Sequence, residues 1–151
     1  MKKIVLGLLI MSATILVHAQ VLNPVQWSFT SKKTGDKTYE LHLKANIQGG
    51  WHLYSQTQPA DAINIPTEIL FNINPLVSLD GKAKEMGKLE VYKDKRLGIS
   101  ANQYKDEVDF VQKVKLRVNA KTNISGTVEY QTCDDKKCLP PAKMTFNLEL
   151  K

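Results

Sequence analysis

The chain has 151 residues, 42% of them hydrophobic and 24% charged, with 21 Lys and Arg against 15 Asp and Glu for a formal charge of +6. That length accommodates one domain with a core of its own. The basic residues are interleaved with acidic ones, as in Lys93-Asp94-Lys95-Arg96 and Lys105-Asp106-Glu107, which describes a solvated surface and argues against a nucleic-acid partner.

The first element in chain order is an address. Lys2 and Lys3 precede an apolar run from Ile4 to Val17, and Val17-His18-Ala19 places small residues where a signal peptidase cuts, so residues 1–19 are expected to be removed after Ala19. The run falls short of the roughly 20 apolar residues that span a bilayer, and no later stretch is longer, so stable membrane insertion is not expected. No cysteine stands at the cleavage site, which argues against a lipoprotein. The working part is then residues 20–151 in an exported, periplasmic compartment.

Strand signals fill the remainder. Val25, Trp27 and Phe29 alternate, the polar stretch Lys32-Lys33-Thr34-Gly35-Asp36-Lys37 turns the chain, and Tyr39, Leu41, Leu43, Ala45 and Ile47 alternate again, which predicts a hairpin with one buried face. Further strand-like runs are Trp51 to Gln56, Thr67 to Ile73, Lys88 to Tyr92, Val108 to Val118, Ile124 to Cys133 and Lys143 to Leu150. No segment has the period of a long amphipathic helix. About eight short strands punctuated by Gly, Pro and Asn predict an all-β fold, an immunoglobulin-like antiparallel β-sandwich.

Cys133 and Cys138 are the only cysteines. In an oxidising compartment they are expected to form a disulfide, since the four residues between them suffice for a hairpin connection. As a staple the bond would be weak, because a loop this short is worth only about 2 kcal/mol against nearly 5 for a loop of about a hundred residues. Extending the alternation of Val128 and Tyr130 places Gln131 and Cys133 on the polar face, where a partner could reach the thiol. Asp134 and Asp135 follow Cys133, whereas Lys136 and Lys137 precede Cys138; positive charge favours a thiolate, so Cys138 is expected to be the more reactive thiol. A metal site built from the two cysteines with His42 or His52 is disfavoured, because structural zinc takes four ligands, often in closely spaced pairs.

The segment Val128-Glu129-Tyr130-Gln131-Thr132-Cys133 through Cys138-Leu139-Pro140-Pro141 resembles the N-terminal periplasmic domain of the thiol-disulfide interchange protein DsbD. Two shorter stretches fit the same family: Gly50-Trp51-His52-Leu53-Tyr54-Ser55-Gln56 is similar to its aromatic segment near the active site, and Asp94-Lys95-Arg96-Leu97-Gly98 lies where that family has a cap loop over the disulfide. The resemblance implies a sandwich whose cysteines pass electrons from a thioredoxin-like donor to periplasmic acceptors, with the second cysteine, here Cys138, forming the mixed disulfides. It differs from the familiar form in having one residue fewer between the cysteines, in carrying Arg96 and Leu97 where the cap has aromatics, and in His52, so that only Tyr54 carries over from the aromatic pair. No electron-carrying membrane region follows residue 151, so any donor is expected to be a separate protein.

The leading expectation is therefore a monomeric periplasmic thiol-disulfide exchange protein. Cys138 is its attacking thiol and Cys133 its resolving thiol, with Tyr54, Lys136, Lys137 and the 94–98 loop around them. Exchange by thiolate attack requires no cofactor and no metal. The alternative is a secreted immunoglobulin-like binding module with a structural disulfide, a choice that fold alone does not decide.

Overall fold

The computed structural model describes residues 22–151, so the leader and its cleavage site lie outside the described residues. Alternating apolar residues form β1 (Val25–Gly35) and β2 (Thr38–Ile47), joined by a tight turn in which Lys37 takes a positive φ. β3 (His52–Tyr54) continues the line of β2 after a step at Gln48–Trp51, where Gly50 has φ +85 and the Trp51 amide donates to the Gln48 carbonyl. Both β2 and β3 pair with the same edge of β6 (Ile99–Leu116), while β5 (Val77–Asp94) pairs with the other edge of β6 along most of its length. β1 flanks β2, and the short β8 (Thr132–Cys133) flanks β3, which completes a six-stranded antiparallel sheet. A second sheet of β4 (Glu68–Phe71), β7 (Thr122–Tyr130) and β9 (Ala142–Leu150) packs against it, giving the expected immunoglobulin-like β-sandwich. No helix among the described residues is long and apolar enough to cross a membrane.

The core follows from the period-two pattern. Leu41, Leu43 and Ala45 of β2 and Val108, Phe110 and Val114 of β6 face Ile124 and Val128 of β7 and Phe146, Leu148 and Leu150 of β9, all buried. The Trp27 ring lies 5.3 Å from that of Tyr130, and Phe29 5.4 Å from Phe146, so aromatic pairs tie β1 to the opposite sheet. Within the smaller sheet the strands crowd at Gly126 of β7: a Cβ there would come within 2.3 Å of the Leu70 carbonyl oxygen on the neighbouring β4, which leaves room only for glycine.

Two features differ from the sequence expectation. β5 and β6 each run 18 residues: β5 extends the expected Lys88–Tyr92 at both ends, and β6 starts well before the expected Val108 but stops at Leu116, short of Val118. Much of β5 is an exposed edge strand, so its residues carry little of the alternation that burial on one face imposes. The expected single strand from Ile124 to Cys133 is instead broken at Gln131: β7 ends in the three-stranded sheet at Tyr130, and Thr132 opens β8 in the other sheet.

Candidate functional site

That change of sheet sets the environment of the cysteines. Continuing the phase of β7 past Tyr130 put Cys133 on a polar, accessible face; in the structure it is 2% exposed. Once the chain crosses to β3 its phase is set by the new partner, with His52 opposite Cys133 and Leu53 opposite Thr132. Leu53 and Tyr104 belong to the sandwich core, whereas Cys133 packs with Tyr54 and Ala101 in a small separate cluster on the other face of the sheet. Trp51 through Ser55 are all buried, because β3 is covered on both faces. A signal for this second buried face was present in the sequence: the phase of β3 that does not carry Trp51 and Leu53 carries His52 and Tyr54, two rings where a solvated face would be charged.

The disulfide joins Cys133 to Cys138 with the Cα atoms 4.0 Å apart, as the spacing led one to expect. Cys138 is exposed and Cys133 is buried, whereas strand phase alone suggested that Cys133 would be reachable. The loop between them is held by its own first residue. The Asp134 carboxylate accepts from the amides of Lys136 (2.8 Å) and Lys137 (2.7 Å), and the Asp134 amide donates to the Lys137 carbonyl at 2.9 Å. Those two amide bonds hold the Asp134 carboxyl below its usual range, with the nearby lysine charges adding to the effect. The Leu139 amide donates to the Thr132 carbonyl, and Gln131 spans the base of the loop, donating to the Leu139 carbonyl and accepting from the Ile65 amide. Both lysines are exposed.

Around this pair the six-stranded sheet supplies His52, Tyr54, Gln103, Ala101 and Tyr92. Burial pushes the Tyr54 phenol up to about 12, with a hydrogen bond to Asn64 opposing and Tyr92 adding slightly. The His52 ring stands edge-on to Tyr54, 5.6 Å between centroids. Tyr92 pairs with Ala101 across β5 and β6 and remains 47% exposed, so it shares the outer face of the sheet with the cysteine cluster. Sequence reasoning did not single out Tyr92, Gln103 or Ala101, since β6 was expected to begin only at Val108.

The segment after β3 is fastened to the same sheet. Gln58 donates to the carbonyls of Ser55 and Asn102 and accepts from the Asn102 amide, and Ser100 donates to Asp61. Glu85 of β5 accepts from the Ser55 hydroxyl, the Gln56 amide and side chain, and the Tyr104 hydroxyl. These bonds hold the strand that carries Tyr54 against β5 and β6.

The 94–98 loop is the turn between β5 and β6. Its geometry repeats that of the cysteine loop: the Asp94 carboxylate accepts from the Arg96 (2.8 Å) and Leu97 (3.2 Å) amides, and the Gly98 amide donates to the Asp94 carbonyl, with Gly98 at φ +67. Arg96 is exposed and Leu97 is 70% exposed, so in this conformation most of the leucine surface is open to solvent. Of the histidines weighed as metal ligands, His42 is paired with Asp109 at 2.7 Å and His52 lies beside Cys133.

The family model described as "Thiol:disulfide interchange protein DsbD, N-terminal" matches residues 18–150. No curated protein matches the chain. Among solved structures, the N-terminal periplasmic domain of ScsB from Proteus mirabilis superposes with a TM-score of 0.58 at 18% identity, over 84% of this chain; the match spans about half, 47%, of that longer chain. The reduced DsbD N-terminal domain of Neisseria meningitidis superposes with a TM-score of 0.51 at 16% identity, over 80% of this chain and 82% of that one. At such identities the structural likeness speaks for the fold.

Proposed function

Because the chain belongs to the family of DsbD N-terminal domains, we propose that it is a periplasmic thiol-disulfide exchange protein, carrying electrons from a thioredoxin-like donor to oxidised partners through Cys133 and Cys138. In this reading the leader is removed after Ala19 and the rest works as a monomer. The observation that carries it is the asymmetry of the disulfide: Cys138 is exposed while Cys133 is 2% exposed. A bond meant only to brace the fold gains nothing from placing one of its cysteines at the surface. Exchange, by contrast, requires in-line approach of a thiolate to one sulfur while the other leaves.

Cys138 is thus the partner-facing thiol and Cys133 the resolving thiol. Two effects act in the same direction: exposure grants access to Cys138, and burial beside Tyr54 and Ala101 disfavours a thiolate at Cys133. Lys136 and Lys137 add positive charge on the Cys138 side of the loop. The 94–98 turn acts as a cap that limits exchange with small thiols, with Leu97 as its apolar side chain and Asp94 and Gly98 fixing its shape.

The test is to trap mixed disulfides. A Cys133→Ala variant retains the exposed thiol and should accumulate a disulfide-linked adduct with a thioredoxin-fold protein, whereas Cys138→Ala should not. Equal trapping by both variants, or trapping only by Cys138→Ala, would reject the assignment.

A further inference from the structure

The residue directly across the ladder from the buried cysteine is a histidine, and exchange through Cys133 has to move a proton at a place that solvent hardly reaches. We propose that His52 is the proton partner of Cys133, taking the thiol proton when Cys133 attacks and returning it when Cys133 leaves. The proposal rests on the exchange function and deepens it.

The geometry is that of a cross-strand pair. His52 of β3 and Cys133 of β8 are opposite residues on adjacent antiparallel strands, so their side chains leave the same face with Cβ atoms about 4.5–5.5 Å apart. His52 is 8% exposed and Cys133 2%, and Tyr54 stands against the imidazole edge, so bulk water is a poor proton acceptor for this sulfur. Among the described residues no side chain forms a hydrogen bond to the His52 ring. The charged groups around it come from every neighbouring element: Asp134 and Asp135 from the cysteine loop, Lys105 from β6 and Glu90 from β5. Lys105 is itself paired with Glu90 at 3.0 Å, and the loop carboxylates Asp134 and Asp135 act to raise the His52 pKa. Burial nevertheless dominates and lowers the His52 pKa below its ordinary value, so the ring is a neutral base at neutral pH while the disulfide is intact. A thiolate at Cys133 would add the anionic neighbour that lets it hold a proton.

In the resolving step Cys138 is joined to a partner sulfur. The Cys133 thiol gives its proton to the imidazole, and its thiolate attacks the Cys138 sulfur. The Cys133–Cys138 bond forms, the bond from Cys138 to the partner breaks, and the electron pair leaves on the partner sulfur, which takes up a proton. Two thiols of this chain are oxidised and one partner disulfide is reduced. When a reduced dithiol protein attacks Cys138, the same steps run backwards: as Cys133 leaves as a thiolate, the neutral imidazole takes up a proton from solvent and passes it to the Cys133 sulfur.

The reduced, full domain can be mixed in a stopped flow with excess 5,5′-dithiobis(2-nitrobenzoate), whose two thionitrobenzoate releases are read separately. The first reports attack by Cys138 and depends on reagent concentration; the second reports attack by Cys133 and does not. In the wild type the second rate should rise with pH through the His52 titration, below about 6.5, and then level off. In His52→Gln that inflection should vanish and the second rate at pH 7 should fall at least about tenfold, with the first unchanged. His52→Tyr fills the space without a base at this pH and should behave like His52→Gln. A wild-type second phase with no inflection in that range overturns the proposal without recourse to any variant, and so does a His52→Tyr protein with wild-type kinetics. Because the reagent is not a protein, this outcome is independent of whether the trapping experiment finds a thioredoxin-fold partner.

Discussion

Replacing Glu85 by alanine should loosen the site without touching a cysteine. Glu85 accepts four hydrogen bonds, from Ser55 Oγ at 2.8 Å, Gln56 N at 2.7 Å, Gln56 Nε2 at 3.2 Å and the Tyr104 hydroxyl. Ser55 and Tyr104 are buried, so Glu85→Ala leaves two interior hydroxyls without their acceptor. Each such loss costs ~1–3 kcal/mol, and the exposed edge of β5 lets water recover part of the rest, so the expected loss of stability is ~3 kcal/mol. With a urea slope of about 2 kcal/mol/M, the denaturation midpoint should fall by about 1.5 M. Tyr104→Phe removes only one of the four bonds and should cost about 1 kcal/mol, and the double variant should cost less than the two singles added together. Ser55 directly follows Tyr54, which packs on Cys133, so Glu85→Ala should also speed reduction of the disulfide by glutathione. A stability loss under about 1 kcal/mol, or strictly additive costs, would refute the idea that Glu85 holds this strand in place.

Three further outcomes are expected. Reduction of the disulfide should lower stability by only about 2 kcal/mol, because the loop is short and the Thr132–Leu139 hydrogen bond and the Asp134 turn persist without it; a much larger drop in the denaturation midpoint would favour a structural staple. Asp134 has a depressed folded-state pKa, so its contribution to the loop is present above the unfolded value near 3.8 and is lost as pH falls through the lower folded value; hydrogen exchange at the Lys136 and Lys137 amides should lose protection there, and protection unchanged well below that range would contradict it. Leu97→Ala should accelerate glutathione reduction less than Tyr54→Ala, since Leu97 is 70% exposed and Tyr54 packs on Cys133; the reverse order would make the 94–98 turn the main cover.

Alternation from Val25 to Ile47, from Ile124 to Tyr130 and toward Leu150 determined by itself that the chain would build a β-sandwich, because a strand that buries one face must repeat its apolar residues every second position. The two cysteines likewise marked the disulfide loop, since pairing at that spacing needs only a local turn. What the sequence could not determine was which cysteine would be buried. That depended on Gln131, where the chain leaves one sheet for the other and exchanges the phase of β7 for a register set by β3. The same long-range pairing placed His52 beside Cys133, residues 81 positions apart, and brought Tyr92 and Ala101 to the same face through a hairpin whose exposed edge carried no periodic signal. Period is a property of one strand and can be read along it, whereas register is a property of two, and the chemistry of this site lies in the register.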